Sequence, residues 1–238
     1  MLEKLKNTVF KANLDLVEKG LVIHTWGNVS GRDKASGLIV IKPSGVSYDS
    51  MNPDDMVVID SEGKVVEGKF KPSTDAPTHL ILYRTFGSLG GIVHTHSSYA
   101  TSWAQAGRAI PPFGTTHADH FYGEVPCTRL LTKKETEIDY EINTGKIIIE
   151  KIGTTDPLIV PSVLVNGHGP FCWGFDAENA VYNAETLEEV AKMAFYTVLL
   201  GKTEPIDKFL LDKHFKRKHG NNAYYGQDKG PPTPARRD

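Results

Sequence analysis

Apolar residues recur near the start of the chain at Leu2, Leu5, Val9, Ala12 and Leu16. Steps of three and four predict an amphipathic helix over residues 1–19, with Gly20 as its stop. From Leu21 the period shortens. Leu21-Val22-Ile23, Leu38-Ile39-Val40-Ile41, Met56–Asp60 and Val65–Gly68 are short apolar runs parted by turn residues, so residues 21–68 read as antiparallel sheet. Thr25–Ser30 reads as a small polar turn, and His79–Phe86 as a helix. Gly90–His96 reads as a buried strand, followed by a short helix over residues 97–107 with hydroxyl caps and a glycine stop. Ile147–Glu150 and Ser162–Val165 read as two more strands, the second running into a glycine-rich turn over residues 166–174. Ala177–Leu200 is a long helical segment with a stripe at Ala180, Ala184, Leu187, Ala191 and Ala194 suited to close packing, and residues 207–219 form a basic helix. The pattern is that of one domain of helices and antiparallel strands over residues 1–227. The proline-rich, charged residues 228–238 are expected to be disordered.

Composition narrows this picture. A chain of 238 residues suits one large domain or two small ones, and the absence of a repeat or internal linker favours one. A formal net charge of −2 offers no electrostatic case for binding nucleic acid or an anionic membrane. No apolar run approaches the ~18 residues of a membrane span, so a cytoplasmic protein is expected. Cys127 and Cys172 form no disulfide framework and read as buried, reduced thiols.

The candidate chemistry begins with His94-Thr95-His96. On a strand, residues i and i+2 point to one face, so both imidazoles can reach one cation. His168 stands between two glycines at the end of another strand and is the natural third ligand. Three histidines suit Zn²⁺ and leave one position open, as catalytic sites do. Lys42-Pro43-Ser44-Gly45 places a lysine, a hydroxyl and a glycine in one tight turn that could hold a phosphate; alone, it also fits a plain hairpin turn. Ser73 and Thr74 could add hydroxyls. Asp75 is either a helix N-cap or a carboxylate for metal or proton work. Residues 111–123, with His117, Asp119, His120 and Tyr122, are dense in proton-moving groups and read as site lining. A metal, an anion anchor and acid/base groups together suggest carbon-acid or aldol chemistry on a phosphorylated sugar.

Six blocks carry a closer resemblance: Thr25–Ser30, Ile41–Val46, Ile92–Ser97, Gly114–Asp119, Gly167–Phe171 and Ala223–Gln227. In this order and separation they resemble the L-ribulose-5-phosphate 4-epimerase family, a branch of the class II zinc aldolase superfamily. The resemblance covers residues 1–227. It implies a three-layer α/β/α sandwich around a mainly antiparallel sheet, assembled as a homotetramer with active sites at subunit interfaces. It implies one zinc per subunit held by Asp75, His94, His96 and His168. It implies substrate and phosphate contacts from Gly27, Asn28, Lys42, Ser44, Gly45, Ser73 and Thr74, with Thr115, Glu141 and His214 also near the substrate. Asp119 and Tyr225 are implied as the acid/base pair, with Tyr225 reaching in from a neighbouring subunit. The implied reaction interconverts L-ribulose 5-phosphate and D-xylulose 5-phosphate, as arabinose and ascorbate breakdown both require. Sugar-phosphate aldolases such as fuculose-1-phosphate aldolase share the fold and metal but carry a glutamate where Asp75 stands. Adducin head domains share the fold as scaffolds without the metal ligands. Asp75 and the intact histidines favour the epimerase.

Overall fold

The computed structural model describes residues 2–220 and 223–225. The expected disorder of residues 228–238 lies outside the described residues, as do Gly226 and Gln227. Helix α1 (Glu3–Glu18) leads into strands β1 (Gly27–Arg32), β2 (Ile39–Ile41), β3 (Val57–Ile59) and β4 (Val65–Glu67). Helix α2 (Ala76–Thr85), strand β5 (Gly91–Thr95) and helix α3 (Ser98–Gln105) follow. Then come four helices, α4 (Thr115–Ala118), α5 (Lys133–Glu137), α6 (Tyr140–Ile152) and, after strands β6 (Ser162–Leu164) and β7 (Pro170–Gly174), the long α7 (Ala177–Leu199). Helix α8 (Lys208–His219) is the last described element. The strands form one antiparallel sheet in the order β4-β3-β2-β1-β5-β7-β6.

Strand alternation sorts the side chains into two cores. Val29, Val40, Val93 and Cys172 face the layer of α1, α3 and α7, where Val9, Leu16, Trp103, Ala184 and Leu187 are buried. Ile39, Ile41, Ile92, Phe171 and Trp173 face α2 and α6, packing on Leu80, Tyr83, Ile147 and Ile148. The result is the expected three-layer α/β/α sandwich. The alanine stripe of α7 is buried, as its spacing predicts.

Four elements depart from expectation. Ile147–Glu150 is not a strand but the second half of α6. Its β-branched run imitates a strand, yet Thr144, Gly145, Ile147, Ile148 and Ile152 lie at helical spacing and bury against α2. Packing overrides propensity here. Gly145 permits the contact: a methyl at that position would overlap Ile81 Cγ2 on α2. Leu21–Ile23 is not a strand; Leu21 enters the core from a loop, and the first strand starts at Gly27, inside the expected polar turn. Asn28 and Ser30 are polar because they meet a site, and both are buried. Residues 170–174 form β7 rather than continuing the turn, and residues 115–118 of the expected loop form α4.

Candidate active site

His94 sits near the C-terminal end of central strand β5, in register with Asn28 on β1 and Phe171 on β7. These three residues make one row across the sheet on the α2/α6 face. His96 lies just past the strand end, and His168 in the turn joining β6 to β7. One nitrogen from each of the three rings lies within 4.8 Å of the others. His94 Nε2 and His96 Nε2 are 3.1 Å apart. The His94 ring is fixed on two sides. Its Nδ1 is 2.9 Å from Pro170 O, a carbonyl that only accepts, so Nδ1 carries the proton and Nε2 is left with its lone pair. Its face stacks on Phe171 at 4.2 Å between centroids and 16° between planes. His168 Nδ1 is 3.3 Å from the Tyr140 hydroxyl.

Burial and the neighbouring rings keep the His96 and His168 imidazoles neutral. Desolvation, then His94 and His96, push His168 down to about 3; desolvation and His94 lower His96. Neutral imidazole is the form that binds a metal. His94 Nε2 directs its lone pair toward His96 Nε2 at 3.1 Å, where it can accept a proton from that ring or share a cation with it, and the three-nitrogen donor set fits a cation with an open coordination position.

Asp75 occupies the N-cap position of α2, yet its side chain makes no capping bond. Asn28 Nδ2 donates to its Oδ2 at 2.7 Å instead. Burial alone would raise the Asp75 carboxyl; the nearby His94 and His79 rings and the Asn28 bond outweigh it and hold the group below its ordinary value. Asp75 thus stays charged beside the histidines, although among the described residues the compact ligand cluster comprises His94, His96 and His168 without it.

The two serine-bearing turns lie side by side. Ser73 N donates to Lys42 O at 2.9 Å, Ser44 N to Lys71 O at 3.0 Å, and Pro43 bridges Pro72. Gly45 has φ +69°, the left-handed turn conformation that glycine accepts without strain. The Lys42 ammonium is folded under its own turn, 2.7 Å from Val46 O and over the Tyr48 ring at 4.7 Å. Desolvation brings it down to about 8. Lys42 therefore braces the turn from beneath, and Tyr48 fixes the next loop by donating to Gly27 O at 2.7 Å. Gly27, Asn28, Ser44, Gly45, Ser73, Thr74 and Asp75 come from the strand and turns that these bonds connect.

Asp119, His214 and Tyr225 gather in a second cluster between the end of α4 and helix α8. Asp119 receives Arg217 Nη2 at 2.7 Å and Nε at 3.1 Å, and pairs with His214 Nδ1 at 3.0 Å and Lys218 Nζ at 3.5 Å. Burial would raise its carboxyl, but the Arg217 and His214 bonds and the charge of Lys218 outweigh that and hold it low. The Tyr225 ring lies 4.5 Å from Lys218 Nζ and 4.9 Å from the Arg217 guanidinium carbon. Among the described residues, no hydrogen bond, ion pair or ring contact links Asp119, His214 or Tyr225 to the three histidines. Thr115 opens α4. Glu141 lies in the first turn of α6, where Thr78 Oγ1 donates to its carbonyl at 2.6 Å.

Two features escaped the sequence reading. Tyr140 touches His168, but the misread strand at 147–150 left it no helix to stand on. Beneath Asp75, at helical spacing on α2, His79 and Tyr83 both bond Ser30 Oγ, at 2.7 and 2.9 Å. Their i, i+4 spacing from Asp75 was the available signal.

Comparison with known proteins extends these observations. The sequence profile described as "Class II Aldolase and Adducin N-terminal domain" matches residues 7–195. The chain is 58% identical over 227 residues to the L-ribulose-5-phosphate 4-epimerase UlaF of Salmonella paratyphi B, covering 95% of this chain and 100% of that protein. A protein of the same name from Salmonella paratyphi C is 59% identical over the same shares. Among solved structures, an L-fuculose 1-phosphate aldolase matches with a TM-score of 0.76 and 27% identity, covering 90% of this chain and 95% of that one.

Proposed function

Since the chain belongs to the class II aldolase and adducin family, we propose that it is an epimerase interconverting L-ribulose 5-phosphate and D-xylulose 5-phosphate. The observation that carries the reading is the 58% identity, over 227 residues, with a protein named for that reaction. The three-imidazole cluster supports a metal-dependent route. His94, His96 and His168 would hold a zinc ion, with Asp75 beside them.

The chemistry accounts for the inventory. The inverted centre is C4, while the carbonyl is at C2, so deprotonating C4 gives a carbanion without resonance. Cleaving C3–C4 instead sends the bonding pair into an enediolate over C2 and C3, while the C4 hydroxyl loses its proton and becomes the aldehyde of glycolaldehyde phosphate. A bound divalent cation supplies the positive charge that makes an enediolate accessible. Ser44, Gly45, Ser73 and Thr74, in turns that Lys42 stiffens, retain the phosphate while the aldehyde rotates. Re-addition to its other face gives the epimer. One group must take the hydroxyl proton on one side, and another must return it on the other. Asp119, which stays ionised, suits acceptance, and Tyr225 brings a phenolic O–H for return.

We place these two groups at a shared site in a homotetramer. They cluster with His214 on one chain, apart from that chain's own His94, His96 and His168, which supports delivery to a neighbouring subunit's metal centre. Exposed apolar residues along the end of α7 (Met193, Phe195, Tyr196, Leu199 and Leu200) support the assembly.

The direct test supplies zinc-loaded protein with L-ribulose 5-phosphate. D-xylulose 5-phosphate should appear, and a chelator should stop its formation. Condensation of dihydroxyacetone phosphate with an aldehyde, without epimerisation, would place the chain with the aldolases.

A further inference from the structure

His94 and His168 are anchored differently. The Nδ1 of His94 meets a carbonyl of β7, so the sheet itself fixes that ring. His168 stands between Gly167 and Gly169 in a turn, where the backbone does little to orient a side chain. Its ring has one hydrogen-bond partner among the described residues, the Tyr140 hydroxyl at 3.3 Å. Tyr140 comes from another layer of the molecule and is held firmly. It is the first residue of α6, and Thr144 Oγ1 donates to its carbonyl at 2.9 Å. Thr78 on α2 donates to the next carbonyl, Glu141 O, at 2.6 Å. The close approach at Gly145 seats α6 against α2, whose N-terminus bears Asp75. Asp139, immediately before Tyr140, adopts the left-handed conformation at φ 54° and ψ 46° without a side-chain cap. That conformation costs a non-glycine residue about 1 kcal/mol or more and persists where the surroundings impose it.

We infer that Tyr140 is a positioning residue for the metal centre: its oxygen accepts the Nδ1–H of His168 and so leaves Nε2 as the nitrogen free to bind a cation. The inference rests on the metal-centre reading above. It gives each anchored histidine the same tautomer by a different device, a backbone carbonyl for His94 and a helix-borne hydroxyl for His168. A ligand imidazole whose far nitrogen is so bonded is more basic and better oriented.

Tyr140→Phe removes one oxygen and keeps the ring. Zinc affinity, read by competition with a chromogenic chelator, should fall about 10–100-fold. The visible spectrum of the Co²⁺-loaded variant should shift relative to wild type as His168 reorients. The metal-free variant should unfold at the wild-type midpoint, which separates ligand positioning from general packing. Wild-type zinc affinity with an unchanged cobalt spectrum in Tyr140→Phe would overturn the role of Tyr140. Wild-type protein that holds no zinc, or His168→Ala protein that holds it as tightly as wild type, would instead remove the metal-centre reading beneath it.

Discussion

At the scale of single residues, the site divides into groups legible from spacing and groups that only folding reveals. His94 and His96 announce themselves by strand periodicity, and His168 by its glycine neighbours. Asp119 was legible as a candidate, but its partners were not: Arg217 lies 98 positions away in sequence. That clamp has a consequence for pH. The Asp119 carboxyl is held low, so its contribution to stability is complete above the unfolded value of about 3.9 and is lost as pH falls through the lower folded value. Docking of α8 should therefore weaken in acid and be indifferent to mild alkali on this account. Asp119→Asn should lower stability at neutral pH and flatten the acid limb below about pH 5, as followed by urea unfolding across pH. An acid limb superimposable on wild type would contradict the clamp.

At the scale of elements, the sheet was more legible than the helices of the second layer. Strands β2, β3 and β5 follow directly from alternation and apolar runs. Helix α6 was misread because Ile147-Ile148-Ile149 has strand composition, and only the contact at Gly145 shows why a helix forms there. Strand β1 was read as a turn because its residues are chosen for the site they line: Asn28 bonds Asp75 and Ser30 bonds His79. The packing of α6 on α2 can be tested at its tightest point. Gly145→Ala gains about 1 kcal/mol of helix propensity. It also forces α6 off Ile81, and overpacking typically costs about 1–3 kcal/mol, so the net change should be destabilising. Urea unfolding should show a lower midpoint, and a variant more stable than wild type would mean that the helices separate without cost.

At the scale of the whole molecule, the three-layer sandwich could be anticipated from pattern and resemblance, whereas the proposed sharing of a site between subunits rests on which side chains one chain brings together. Tyr225 stacks on the same basic residues that hold Asp119, so in the proposed assembly both belong to one subunit and His94, His96 and His168 to its neighbour. Mixing subunits tests this. His96→Asn and Tyr225→Phe should each be nearly inactive, and hybrids formed after dissociation and reassociation in equal amounts should regain about a quarter of wild-type activity. Asp119→Asn mixed with Tyr225→Phe should regain none. Equal recovery in both mixtures would separate Asp119 from Tyr225. The central claim, epimerisation at C4 by breaking C3–C4, is tested most directly by nuclear magnetic resonance of the zinc-loaded protein acting on L-ribulose 5-phosphate in D₂O. D-xylulose 5-phosphate should form with its C4 hydrogen retained. Deuterium at C4, or no xylulose product, would contradict that claim.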